Sequence, residues 1–267
     1  MRLSLTLIAC VLLAAPSSAL AADIRLAWNN CDGAGGLHEI AFDCNTNSNT
    51  QAHTLVASFT APPGITAYIS NQATILVRPQ TAVLPDWWQM NASGQCRSIG
   101  GAVASADFTT GPFGCTDVWG GLASAGFGFT NVVDQRPGWA RMVVGAGSSI
   151  GNTVPLIEGQ EYYAFKVVIL NNKTVGTGSC AGCSTPVALV LQDILVVQPS
   201  GTPGGNVDLG TRPGEISDRS VAGWQCPAAV QVYCGDTHIG CYVSDLAPTC
   251  STPTQRSTWG MIKAIYH

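Results

Sequence analysis

The chain has 267 residues, of which 10% are charged, against roughly 25% in an average soluble domain, and it carries 30 glycines and 15 prolines. That composition excludes charge-driven disorder and a long charged coiled coil. Sixteen acids against 12 bases give a net charge of −4, and lysine stands only at 166, 173 and 263, so there is no basic face for a nucleic acid.

At the N-terminus, Arg2 precedes an apolar run from Leu3 to Ala15, then Pro16 and the small residues up to Ala21. A basic start, an apolar centre and an A-x-A site predict a secretory signal peptide over 1–21, cleaved after Ala21. Leu7-Ile8-Ala9-Cys10 has the form of a lipobox, but the apolar stretch before Cys10 is too short and more apolar sequence follows it. No later segment reaches the 18 or so continuous apolar residues of a membrane helix. The expected destination is secreted, periplasmic or cell-surface.

Export sets the reading of the cysteines. With Cys10 removed, ten remain: Cys31, Cys44, Cys96, Cys115, Cys180, Cys183, Cys226, Cys234, Cys241 and Cys250. An even number in an oxidising compartment predicts a disulfide framework. Short loops favour 31–44, 96–115, 180–183, 226–234 and 241–250, with 226–241 and 234–250 as the crossed order for the last four.

Along the chain, short β-type runs alternate with turn clusters. Strands are predicted at Ile24–Trp28, His38–Cys44, Thr54–Thr60, Ile65–Ser70, Ala73–Arg78, Trp139–Val144, Glu161–Leu170 and Val187–Val197. Leu84–Ala125, rich in glycine and proline, reads as irregular connections with a short helix near Ala82–Met90. Ser200–Gly214 reads as a linker or long loop. Beyond it, Trp224–Cys250 is too small for a core of its own and is expected to be stapled. At the end, Ser257 or Thr258 caps a short helix that buries Trp259, Ile262 and Ile265. Strands without intervening helices predict an all-β, antiparallel β-sandwich, immunoglobulin-like or jelly-roll-like. It would span 22–199, followed by a linker at 200–223 and a Cys-rich segment at 224–267.

Leu156, Gly159 and Tyr162 have the L-x-x-G-x-x-Y spacing, and this stretch is similar to the tyrosine corner of immunoglobulin-like and fibronectin type III sandwiches. The resemblance implies a Tyr162 hydroxyl bonded to upstream backbone, with Tyr163, Phe165, Val167 and Ile169 on one inward face. Three other stretches, Trp28-Asn29-Asn30-Cys31, Thr177–Cys183 and Thr258–His267, resemble a group of uncharacterised secreted proteins from environmental bacteria. That resemblance implies a bacterial, exported protein and says nothing of activity.

Three motifs carry candidate chemistry. Gly147-Ser148-Ser149-Ile150-Gly151 matches the nucleophile elbow G-x-S-x-G, with Asp193 and His238 following in hydrolase order, but loop residues follow Ser149 where the elbow needs a helix. Cys180-Ala181-Gly182-Cys183 has C-x-x-C spacing, yet no His follows it, and Pro186 with a strand replaces the helix that activates a redox thiolate. The seven, six and eight residues between the tail cysteines supply no second zinc half-site. Trp87, Trp88 and Trp119 are the candidate ligand-binding residues, as aromatic platforms for a sugar ring with Asp86, Gln89 and Asn91 beside them. No calcium loop and no shared metal spacing among His38, His53, His238 and His267 is present, so neither metal nor cofactor is expected. Between Asp43 and Asp86 the only Asp, Glu, Lys or Arg is Arg78, which suggests uncharged strand edges suited to self-association.

The sequence therefore points to a secreted structural, adhesive or binding component without catalytic activity. Its expected partners are a second copy or a cell-surface polysaccharide. The alternatives are a secreted hydrolase of polysaccharide or ester, and a carbohydrate-binding module.

Overall fold

The computed structural model describes residues 22–50, 53–91, 93–131, 138–210 and 217–225, with the backbone of two short strands at 232–233 and 242–243. The strands are β1 (Ile24–Trp28), β2 (Glu39–Ile40), β3 (His53–Thr60), β4 (Ser70–Pro79), β5 (Ala102–Ser105), β6 (Ser124–Thr130), β7 (Ala140–Gly147), β8 (Glu161–Ile169), β9 (Val187–Val197), β10 (Val207–Leu209), β11 (Val221–Trp224), β12 (Val232–Tyr233) and β13 (Tyr242–Val243). One sheet has the order β1-β3-β8-β5 and the other β2-β11-β9-β4-β7-β6, with β10 paired to β9; the two pack as a sandwich. The strands β12 and β13 pair only with each other. Every pairing is antiparallel except β2 with β11. From β1 to β6 each successive strand switches sheet. That alternation differs from the strand partition of an immunoglobulin domain and is jelly-roll-like.

Period-2 alternation aims the apolar residues of each strand at the space between the sheets. Ala73, Ile75 and Val77 of β4 face Met142 and Val144 of β7 and Leu189, Leu191 and Ile194 of β9 on the same buried side. Each such side chain contributes roughly 1.5–3 kcal/mol through burial. A bulge between β4 and β9 sets Thr74 opposite Asp193 and Ile75 opposite Leu191. The extra residue leaves Gln192 and Asp193 both half-buried on the outer face and returns Ile194 to the core.

The tyrosine corner forms as its spacing implies. The Ile157 N–H donates to the Tyr162 hydroxyl at 2.9 Å, Leu156 is buried, and Gly159 takes a left-handed φ of 79° as its N–H donates to Ala61. Phe165, Val167 and Ile169 share the inward face, but a bulge between β3 and β8 pairs Tyr163 with Ser58 and turns it to the opposite face, where it is buried under Phe108 instead.

Several local expectations need correction. The predicted His38–Cys44 strand shrinks to β2, because only Glu39 and Ile40 find partners, in Gly223 and Trp224. Ile65–Ser70 supplies a single bridge, Tyr68 to Val154, before β4 begins at Ser70. In place of a helix at Ala82–Met90 there is a 3₁₀ turn at Asp86–Trp88, started by Pro85. The middle stretch read as irregular holds β5 and the start of β6. The expected linker at 200–223 contributes β10 and the first residues of β11, which lie in succession along one edge of β9. Their pairing with β9 substitutes for the hydrophobic content that this stretch lacks. Finally, β3 and β4 are central strands, so the stretch from 44 to 85, charged only at Arg78, reflects burial between neighbours, not open edges. The expected signal peptide, the expected terminal helix with Trp259, Ile262 and Ile265, and Cys226, Cys234, Cys241 and Cys250 lie outside the described residues.

Candidate functional site

The three tryptophans expected as sugar platforms are all in the core. Residues of a 3₁₀ turn step by about 120° around its axis, so the Trp87 and Trp88 rings need not point to opposite sides as they would in a strand. Both turn inward, 5.4 Å apart, and join Trp224, with Trp28, Phe42 and His53 extending the same cluster. The Trp87 indole donates to Thr174 Oγ1, and the Arg97 guanidinium lies 3.9 Å over the ring. Arg97 is itself buried, donating to the Trp87, Gly101 and Leu170 carbonyls and to Asn172. Burial brings its guanidinium down to about 9. Trp119 packs on Tyr68 and donates to the Ala164 carbonyl. None of the three offers a ring face to a sugar.

The disulfides join Cys31 to Cys115, Cys44 to Cys183 and Cys96 to Cys180. The short-loop pairs 31–44, 96–115 and 180–183 are thereby overturned. The sheets decide which cysteines meet, and they bring together residues 84 to 139 positions apart. Cys180 and Cys183 each hold a different partner, so this C-x-x-C is neither a dithiol nor a zinc half-site. Glu161 lies beside the Cys31–Cys115 sulfurs, but its carboxylate accepts from Ser58 and Arg25, and both sulfurs are consumed by their own bond. Such a framework belongs to an oxidising compartment. Among the described residues no helix is long and apolar enough to cross a membrane.

Ser149 follows the end of β7 and precedes a three-residue 3₁₀ turn, Ile150–Asn152, where a nucleophile elbow needs a full helix. Its hydroxyl accepts from the Asn152 side chain. Both described histidines are otherwise engaged. His53 is hydrogen-bonded to Asn171, and burial lowers its pKa. His38 places Nδ1 on the Val221 carbonyl and Nε2 on Asp32 Oδ1 at 2.6 Å, leaving no ring nitrogen for a substrate. Asp32 also accepts from Arg219 Nε at 2.6 Å. Burial would raise the Asp32 carboxyl, but the hydrogen bonds and charges of His38 and Arg219 outweigh it and hold the group below the ordinary range. Arg25 completes the network with Asp23 and Glu161. These ion pairs join Arg219, in the turn before β11, to Asp23 and Asp32 on either side of β1, while β11 itself is held by its pairing with β9 and β2.

Two neighbouring acids, Asp193 and Asp208, are pushed upward by burial, Asp193 the further of the two. Burial pushes the Asp193 carboxyl from 3.8 up to about 6; the nearby Asp208 charge adds to the rise, while Thr74 hydrogen bonds and the Arg141 charge oppose it. Because the folded pKa is raised, the stability tied to this proton is complete below 3.8 and is lost as pH rises through about 6. Asp193→Asn keeps an acceptor for the Thr74 N–H. It should leave the melting temperature unchanged near about pH 4 and stabilise the fold by about 1–2 kcal/mol near about pH 8. Paired melting curves at the two pH values check this.

Two surfaces remain that the sequence reading did not single out. The first is the outer edge of β6. This strand pairs only with β7, and among the described residues no other backbone hydrogen bond reaches it. It is seven residues long, uncharged and free of proline. Ser124, Gly126, Gly128 and Thr130 lie exposed on the outer face, while Ala125, Phe127 and Phe129 are half-buried against the core. The alternation Ala125, Phe127, Phe129 was present in the sequence, but the interleaved glycines depress strand propensity and hid it. The second is a cradle of about 340 Å³ between the outer face of β3–β8 and the loop around Pro112. The chain matches no family model and no curated protein.

Proposed function

We propose that this is an exported structural protein of the cell surface or extracellular space, without catalytic activity, that assembles by strand pairing along β6. One observation carries the reading: among the described residues, the seven-residue uncharged strand β6 has no strand hydrogen-bonded along its outer edge. Sheet proteins normally blunt such edges with lysine, proline, bulges or a covering segment, because an open ladder templates another strand. β6 has none of these devices in its seven residues. The expected partner is a second copy. A two-fold axis through Phe127 sets Gly126 against the partner's Gly128, Ala125 against the partner's Phe129 and Ser124 against the partner's Thr130. Small residues then meet on the outer face, half-exposed aromatics are covered on the inner face, and no like charges meet.

That register is testable with charges. A Cβ added at Gly126 or Gly128 meets nothing within 4 Å, and neither glycine has a positive φ, so side chains fit there without disturbing the monomer. Gly126→Lys with Gly128→Lys would put like charges directly opposite across the axis, which destabilises a strand pair. Gly126→Glu with Gly128→Lys would put opposite charges there. Sedimentation should show the first variant shifted to monomer and the second returned to the wild-type dimer. Equal sedimentation of both variants would exclude this register.

A further inference from the structure

We propose that the cradle formed by β3, β8 and the 108–115 loop binds an acidic saccharide, with the sugar ring on Phe113 and its carboxylate on Lys166. This site lies on the other sheet from β6, and its test does not depend on the pairing proposed there.

The loop is built to hold its shape. Lys166 Nζ donates to the Gly111 carbonyl at 2.9 Å and lies 5.1 Å from the Phe108 ring, which stacks on Tyr163 at 4.1 Å. The Tyr163 hydroxyl accepts from the Gly114 N–H at 2.7 Å and has the Pro112 carbonyl within donating distance at 2.9 Å. Cys115 is tied to Cys31 immediately beyond. Gly111 has a φ of 96°, and a Cβ there would lie 3.1 Å from the Phe113 ring, so the absent side chain lets that ring fold back over the backbone. On this fixed loop Phe113 remains 78% exposed. Because the loop backbone is anchored on both sides of this ring, it needs no ordering before a ligand docks, which removes one cost of binding.

The polar lining is uncommitted. Asn29, Thr54 and Thr110 line the cradle, and among the described residues their side chains make no hydrogen bond. Asn29 is held at its wall in a left-handed conformation, φ 67°, by its N–H on the Thr54 carbonyl. An ammonium has three donors, and Lys166 spends one on Gly111. Lys166 is the only charged residue of the lining. Burial lowers its pKa against the opposing charges of Asp107 and Asp117, two carboxylates near the ammonium but outside the lining, which marks an amine with part of its hydration removed. An aromatic face, several hydroxyl and amide groups and one cation fit a pyranose that presents C–H bonds on one side, hydroxyls at its rim and a carboxylate. The protein's net charge of −4 works against non-specific attraction of polyanions, so an acidic ligand must be held by this local geometry.

The test is calorimetric titration of the full chain with tetragalacturonate, its neutral methyl ester, and a sulfated oligosaccharide of equal length. The acid should bind, and its methyl ester should bind about tenfold more weakly for loss of the charge-assisted bond. Phe113→Ala, at an exposed position, should leave the melting curve in place and weaken the acid about tenfold by removing the platform. Lys166→Arg keeps the cation and should retain binding, whereas Lys166→Met should lose it. Failure of tetragalacturonate to bind, equal binding of its ester, or unchanged affinity in Phe113→Ala would overturn the proposal. So would a sulfated oligosaccharide that binds as tightly as the acid, which would mark a general anion surface.

Discussion

Reducing the three disulfides found among the described residues should unfold the sandwich at physiological temperature. The bonds Cys31–Cys115 and Cys96–Cys180 each span 84 residues and Cys44–Cys183 spans 139. In the chain-entropy account a loop of about 100 residues contributes about 4.7 kcal/mol, against about 3 kcal/mol for one of about 15. Because the three loops overlap, their effects do not add in full. Even so, losing them removes an amount comparable with the roughly 5–15 kcal/mol that holds a whole domain folded. Paired Cys44→Ser and Cys183→Ser substitutions should alone cost about 4–5 kcal/mol. Urea unfolding with and without reductant measures the effect, and a reduced chain with an unchanged midpoint would show that the frame does not depend on these bonds.

Trp224→Ala should be the most damaging single substitution in the described core. Trp224 is fully buried where β11 meets the loop carrying Cys183, and its indole donates to the Cys183 carbonyl at 2.6 Å. Its ring contacts Phe42 at 4.2 Å, Trp87 at 5.0 Å, His53 at 5.1 Å and Trp88 at 5.2 Å. Truncating a buried tryptophan costs about 3–5 kcal/mol through lost transfer energy and the cavity left behind. At about 2–4 °C per kcal/mol for a domain of this size, the melting temperature should fall by roughly 6–20 °C. Trp224→Phe keeps most of the packing and loses the indole bond, so it should cost far less. A melting curve for Trp224→Ala within a degree or two of wild type would contradict the packing of this end of the sandwich.

How legible these features were depends on how local their causes are. β1 and β9 stand at the residues predicted for them, and β3, β4, β7 and β8 within a few, because their alternation or continuous apolar runs are written into consecutive residues. The tyrosine corner was legible for the same reason. β6 escaped because Ser124, Gly126 and Gly128 take three of its seven positions, and β5 and β10 because four and three residues are too few to show an alternation; only pairing with a neighbour makes them strands. The disulfides escaped more completely. Cys31 and Cys44 are neighbours in sequence, yet each pairs with a cysteine that the chain brings back much later. Under strand geometry one of Trp87 and Trp88 would face out, and the 3₁₀ turn after Pro85 turns both inward. Phe113 and Lys166 carried no signal, since 53 residues of chain separate the two sides of the cradle. Sequence alone indicated a sandwich and an oxidising compartment, whereas the stretch before Asp86 that suggested open edges is buried central strand. Which edge is open, and which ring faces water, depends on the sheet order.

Concentration-dependent sedimentation of the oxidised wild-type chain, with amide exchange followed over residues 124–130, bears most directly on assembly through β6. The expected result is a reversible dimer in which outward-pointing β6 amides become protected as dimer forms, and lose that protection in the Gly126→Lys, Gly128→Lys variant. A monomer at every concentration would contradict strand pairing between copies. If its β6 amides were nonetheless protected, and became exposed on deletion of residues 226–267, the occupant of the edge would be the chain's own tail.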